Sequence, residues 1–100
     1  MLGDERDVAL VRADYGDCWV RDTLPSFGWT EDGRLGGLRF RFNGWGGKFA
    51  ATHDSAISTR LHRQGAFPGT ELLDRRLVLE GGAIDHNGQG TVLTTRQTLL

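Results

Sequence analysis

Ser26-Phe27-Gly28-Trp29-Thr30, then Glu31-Asp32-Gly33-Arg34, then Gly37-Leu38-Arg39-Phe40-Arg41-Phe42-Asn43 form the stretch whose reading decides the fold. The first segment is aromatic-rich and short, as a strand is. Asp32-Gly33 supplies the backbone freedom that a tight hairpin turn needs. The return segment alternates with period two. Leu38, Phe40 and Phe42 share one face, and Arg39 and Arg41 share the other. Two strands and a turn make an antiparallel pair, which ends where Gly44-Trp45-Gly46-Gly47 breaks the pattern.

Downstream, Asp54 reads as the N-cap of a helix running from about Ser55 to Gln64, with its carboxylate accepting from first-turn amides. Gly65 suits the left-handed position that closes such a helix. Ile57 and Leu61, one turn apart, give it a narrow apolar stripe, as expected of a helix resting on a sheet. Phe67-Pro68-Gly69 is a loop, and Arg76 to Glu80 is a further strand running into Gly81-Gly82. The order strand, strand, helix, strand is one ββαβ unit of an α/β fold. Ala83-Ile84-Asp85 and Thr91-Val92-Leu93-Thr94 flank a second hairpin centred on Asn87-Gly88, and Thr95 caps a helical turn from Arg96 that is cut off at Leu100.

Upstream, Val8-Ala9-Leu10-Val11 is an apolar run between charges and reads as a buried strand. Asp14-Tyr15-Gly16-Asp17 is turn chemistry. Cys18 to Asp22 can continue extended, which would put Trp19 and Asp22 on opposite faces. For both to line one pocket the backbone must bend near Val20 to Asp22. Pro25 keeps Leu24 out of the helical region.

Composition narrows the function. A chain of 100 residues is one domain or less, with a small core. Charged residues are 25% and sum to a net −1, which leaves no basic face for nucleic acid. Three Trp and five Phe demand burial and argue against disorder. The single cysteine, Cys18, makes no internal disulfide and no zinc framework, so the reducing cytoplasm is the expected compartment. Asp4, Glu5, Arg6 and Asp7 interrupt any leader pattern, and no apolar run is long enough to span a membrane.

The residues that carry chemistry cluster in Asp17-Cys18-Trp19-Val20-Arg21-Asp22, with Glu80 as a further acid. Acids, aromatics and glycines together suit a pocket for a flat cation. Each residue also has a plainer reading. Asp22 beside Arg21 serves equally as a local ion pair or turn acceptor, and Trp19 as core. Glu80 follows Leu77-Val78-Leu79, so it is expected to be buried and to need a partner. Trp45 and Asn43 read as scaffold beside glycines, and Asp17 as a turn residue. Cys18 reads as a small buried thiol, because neighbouring acids disfavour the thiolate. His53, His62 and Asp85-His86 have no metal-ligand spacing, so no metal is expected.

Three blocks in order carry a resemblance. They are Trp19-Val20-Arg21-Asp22 with Pro25, Phe42-Asn43-Gly44-Trp45-Gly46-Gly47-Lys48, and Leu79-Glu80-Gly81-Gly82 with Gly90-Thr91 and Leu93-Thr94-Thr95. Together they resemble the agmatine deiminase family, grouped with the bacterial-type peptidylarginine deiminases. The resemblance implies a pentein fold, a five-bladed α/β propeller of ββαβ units, of which this chain holds about one unit plus flanking strands. It implies a cofactor-free hydrolase that turns agmatine and water into N-carbamoylputrescine and ammonia on the way to putrescine, with a full-length form able to oligomerise. Asp22 and Trp19 would bind the guanidinium substrate, and Glu80 would orient a catalytic histidine. The family's nucleophilic cysteine and catalytic histidine match no position here. Residues 1–100 therefore read as a partial deiminase domain, truncated at both ends and inactive alone. The alternatives are a peptidylarginine or arginine deiminase of the same fold, or an inactive fragment that only binds a cation.

Overall fold

The computed structural model describes residues 8–99. Its central element is the hairpin. Strand β1 (Ser26–Trp29) pairs antiparallel with β2 (Leu35–Arg41), from Ser26 opposite Leu38 to Trp29 opposite Leu35. The turn between them is closed by the Gly33 amide donating to Thr30 O, with Gly33 at φ +79. That positive φ is what Asp32-Gly33 supplies. The return strand starts two residues earlier than the alternation alone indicates, because Leu35 and Gly36 already find partners in β1.

The principal helix spans Thr52–Arg63. It ends as Gly65 requires: the Gly65 amide donates to His62 O and the Ala66 amide to Leu61 O, with Gly65 at φ +77. This pair of bonds is a Schellman closure. Its start departs from expectation. The N-cap is Ala51, and Asp54 lies inside the first turn, 4% exposed. Its carboxylate faces away from its own helix and accepts from the Gly16 amide at 2.8 Å.

Strand β3 (Glu71–Val78) lies parallel to β2, completing a sheet of order β1-β2-β3 and hence the ββαβ unit. It starts five residues before Arg76, because the amides and carbonyls of Gly36 to Arg39 pair with Glu71 to Asp74. The register then slips. Arg39 faces Asp74 but Arg41 faces Val78, so Arg75, Arg76 and Leu77 bulge opposite Phe40. The Leu79 amide, donating to Arg41 O, ends the ladder. Arg39 is not a solvent-face residue. Its side chain is 18% exposed, pairs with Asp74 at 2.6 Å and donates to Ser55 O at 2.7 Å, so it ties the sheet to the helix.

The core is small: among the described residues Phe42, Ile57, Leu61 and Leu79 are the large buried apolar side chains. Each contributes on the order of 2 kcal/mol by leaving water. Val8 to Val11 form no strand, and Leu10 is 96% exposed. No ladder partner reaches this run among the described residues. Ala9 and Val11 instead border an apolar groove with Ile57 and Leu61. The second hairpin is present as β4 (Ile84–His86) and β5 (Val92–Thr94). Thr95 Oγ1 accepts from the Thr98 amide at the start of the turn Arg96–Leu99, while Leu100 lies outside the described residues. No helix among the described residues is long and apolar enough to cross a membrane.

Candidate functional site

The segment after Asp17 bends where a shared pocket requires it. Val20–Thr23 form a single helical turn, with the Asp22 amide donating to Trp19 O and the Leu24 amide to Val20 O. Pro25 then forces the chain out into β1. One turn of helix brings residues three apart to the same side, so Trp19 and Asp22 both line one cleft of about 340 Å³. Asp17, Trp45 and Phe49 complete its walls.

Trp45 reaches this cleft through an unusual backbone. Gly44, Trp45, Gly46 and Gly47 have φ of +70, +57, +79 and +81, a left-handed turn in which Trp45 is the one non-glycine among the described residues with positive φ. Such a conformation costs a bulky side chain about 1 kcal/mol or more. Local contacts hold it there. Asn43 Oδ1 accepts from the Gly46 amide at 2.9 Å, and the Trp45 ring stands edge-on between Phe42 at 4.9 Å and Phe49 at 5.8 Å. A Cβ on Gly44 would overlap Phe49 O, which explains the glycine beside it.

The Asp22 carboxylate is fixed from two sides. Its Oδ1 accepts from the Gly82 amide at 2.8 Å and its Oδ2 from Trp45 Nε1 at 3.2 Å. Gly81 and Gly82 are needed for this approach, since a Cβ on the first would overlap Arg21 O and on the second Asp22 Oδ1. An ionised carboxylate has about four acceptor sites. Two are used by the scaffold, and one on each oxygen remains for a ligand. That leftover pair matches the two parallel N–H groups of a guanidinium edge. The exposed Trp19 ring, 58% accessible, together with Trp45 and Phe49, offers apolar and π surface for an alkyl chain and a cation.

The other candidates are placed less simply. Asp17 lines the cleft while its Oδ1 also accepts from the Cys18 amide at 2.8 Å, so it is both turn residue and wall. Glu80 is half-buried rather than buried and precedes the 3-10 turn Gly81–Ala83; it does not line the cleft. Leu79 before it is buried but Leu77 and Val78 are exposed, so the burial inferred from that run holds only in part. Cys18 is a free, exposed thiol, not a buried one, because the bend leaves it at the rim of the apolar groove of Ile57 and Leu61, apart from the cleft. Trp45 and Phe49 belong to the cleft without having been singled out for it. The signal for Trp45 was a tryptophan enclosed by glycines, which marks a backbone that only strong side-chain contacts can justify. Among the described residues no group of three or more His, Cys, Asp or Glu is placed to hold a metal.

Comparison with known proteins gives this geometry a context. The family model for Porphyromonas-type peptidyl-arginine deiminase matches residues 1–100. A Shewanella sp. strain MR-4 protein, provisionally named agmatine deiminase, is 36% identical over 98 aligned positions, covering 93% of this chain and 26% of the relative. A Porphyromonas gingivalis structure, provisionally named an arginine deiminase, superposes with a TM-score of 0.83 at 43% identity, covering 91% of this chain and 27% of that one. A C. jejuni agmatine deiminase with substrate bound superposes with a TM-score of 0.79 at 37% identity, over 91% and 26% of the two chains. The chain thus spans about a quarter of the length of the curated relatives it matches.

Proposed function

Since the chain belongs to the Porphyromonas-type peptidyl-arginine deiminase family, we propose that the whole protein is an agmatine deiminase, hydrolysing agmatine to N-carbamoylputrescine and ammonia. The observation that carries this reading is the cleft in which a doubly anchored Asp22 carboxylate stands among Trp19, Trp45 and Phe49. Agmatine offers a planar guanidinium on an alkyl chain. The guanidinium edge would take the free acceptor sites of Asp22. The alkyl chain would lie on the aromatic walls. Fixing the plane in this way exposes the guanidinium carbon to attack along its normal, a gain of orientation.

Within this reading residues 1–100 are one part of a deiminase domain. Their ββαβ unit is one blade of a five-bladed propeller whose centre is the active site. The attacking thiolate and the histidine are assigned to chain outside 1–100, Glu80 orients that histidine, and the protein works in the cytoplasm. Net hydrolysis adds water across the guanidinium carbon and releases one nitrogen as ammonia.

Calorimetric titration of residues 1–100 with agmatine tests the binding half. Agmatine is expected to bind more tightly than putrescine, which has the chain but no guanidinium. Equal affinity would remove guanidinium recognition and leave a general cation-binding or inert chain. Agmatine turnover by residues 1–100 alone, abolished by a thiol reagent, would overturn the assignment of the thiolate elsewhere. The likeness to the P. gingivalis structure favours arginine as the second reading. An affinity for free or peptidyl arginine above that for agmatine would select it.

A further inference from the structure

Two buried polar side chains on one face of the principal helix have no part in the cleft itself. Asp54 is 4% exposed and Ser58 is 1% exposed. They lie four residues apart, so they point from the helix in the same direction one turn apart. Asp54 Oδ1 accepts from the Gly16 amide at 2.8 Å and from the Asp17 amide at 3.4 Å. Ser58 Oγ donates to Thr23 O at 2.6 Å. The two helix residues therefore grip both ends of the segment that carries Trp19 and Asp22. Gly16 admits the grip, since a Cβ there would lie 3.0 Å from Asp54 Oδ2.

Among the described residues this segment has no strand partner to position it. Its own backbone bonds are local, within Cys18 to Leu24. Burying a carboxylate and a hydroxyl is costly unless their partners are fixed, so each grip works only with Gly16 and Thr23 in place. We propose that Asp54 and Ser58 are positioning residues. As a polar clamp one helical turn long, they set where Trp19 and Asp22 stand and so hold the guanidinium cradle in its binding geometry. The inference rests on reading the Trp19–Asp22 cleft as the guanidinium site. Neither residue touches the ligand; both act through the backbone of the gripped segment.

The test uses residues 1–100 carrying 5-fluorotryptophan, with the lines of Trp19, Trp29 and Trp45 assigned by Trp→Phe variants. Asp54→Ala removes the acceptor, Asp54→Asn keeps one carbonyl oxygen for the Gly16 amide, and Ser58→Ala removes the donor to Thr23. In Asp54→Ala and in Ser58→Ala the Trp19 line is expected to move and broaden while the Trp29 line, in β1, stays. Agmatine affinity should fall about tenfold, the equivalent of one lost hydrogen bond. Asp54→Asn should restore the Trp19 line and bring the affinity to within about threefold of the parent. An unmoved Trp19 line in both alanine variants overturns the clamp. So does joint collapse of the Trp19 and Trp29 lines without recovery in Asp54→Asn, which would make the pair general scaffold. If the unsubstituted chain takes up no agmatine, the guanidinium reading falls by itself, and the Trp19 line still decides whether the clamp exists.

Discussion

Trp45 Nε1 donates to Asp22 Oδ2 at 3.2 Å, joining a strained left-handed turn to a carboxylate 23 positions away in sequence. The Gly82 amide, 60 positions from Asp22, holds the other oxygen at 2.8 Å. Three separate segments thus converge on one anion. The convergence gives a use to the positive φ of Trp45, whose indole reaches Asp22 from that turn.

Replacing Asp22 separates scaffold from site. Asp22→Ala leaves the Gly82 amide and the Trp45 indole without their acceptor, at a cost of about 1–3 kcal/mol in urea unfolding. Asp22→Asn keeps a carbonyl oxygen for one donor and should cost less stability. It removes the negative charge, so agmatine binding should be lost in calorimetry. Unchanged affinity in a folded Asp22→Asn chain would take Asp22 out of the site.

Glycine substitutions should sort by what a Cβ meets. Gly81→Ala would press on Arg21 O and Gly82→Ala on Asp22 Oδ1, so each should destabilise by about 1–3 kcal/mol. Gly28 has nothing within 4 Å of its Cβ position, so Gly28→Ala in β1 should be neutral or mildly stabilising. Denaturation midpoints of the three variants provide the comparison. Equal losses at all three positions would contradict the close approach of Gly81-Gly82 to Arg21-Asp22.

The hairpin turn should show an acid dependence. The hydrogen bond from Thr30 Oγ1, then the Arg34 side chain at 2.7 Å, hold the Asp32 carboxyl below its ordinary value of 3.8. A native value below the unfolded one means that the stabilisation is complete above 3.8 and fades as pH falls through the lowered native value. Unfolding followed between about pH 2 and pH 5 should lose this component in Asp32→Asn. In Thr30→Ala the Asp32 carboxyl resonance should titrate at higher pH than in the parent.

Core and surface should differ sharply. Leu61→Ala in the core is expected to cost about 2–4 kcal/mol and Ile57→Val about 1 kcal/mol. Leu10→Ala, at an exposed position, should stay within about 0.5 kcal/mol. Chemical denaturation of each decides. A large loss at Leu10 would show that the Val8–Val11 run is packed after all.

What the amino-acid sequence determined by itself is the punctuation of the fold. Asp32-Gly33 turns β1 into β2, Gly65 closes the principal helix, and Asn87-Gly88 lies in the loop of the second hairpin, where Asn87 Oδ1 accepts from Gln89 and Thr91. Each is settled by sterics and hydrogen bonds among residues a few positions apart, so a local pattern suffices. For Trp19 and Asp22 the local pattern stated only a condition, a bend near Val20 to Asp22 if both were to line one pocket, and the single helical turn Val20–Thr23 meets it. Tertiary structure alone decided the rest. Strand β3 begins at Glu71 because Gly36 to Arg39 lie beside it, not because of its own alternation. Asp54 serves the Gly16 amide rather than its own helix, Arg39 is drawn in toward Ser55, and Val8 to Val11 find no strand partner among the described residues. Trp45 becomes a wall of the cleft only when Asp22 is brought to its indole. In each case the deciding partner is distant in sequence, and the energy of meeting it is absent from any local pattern.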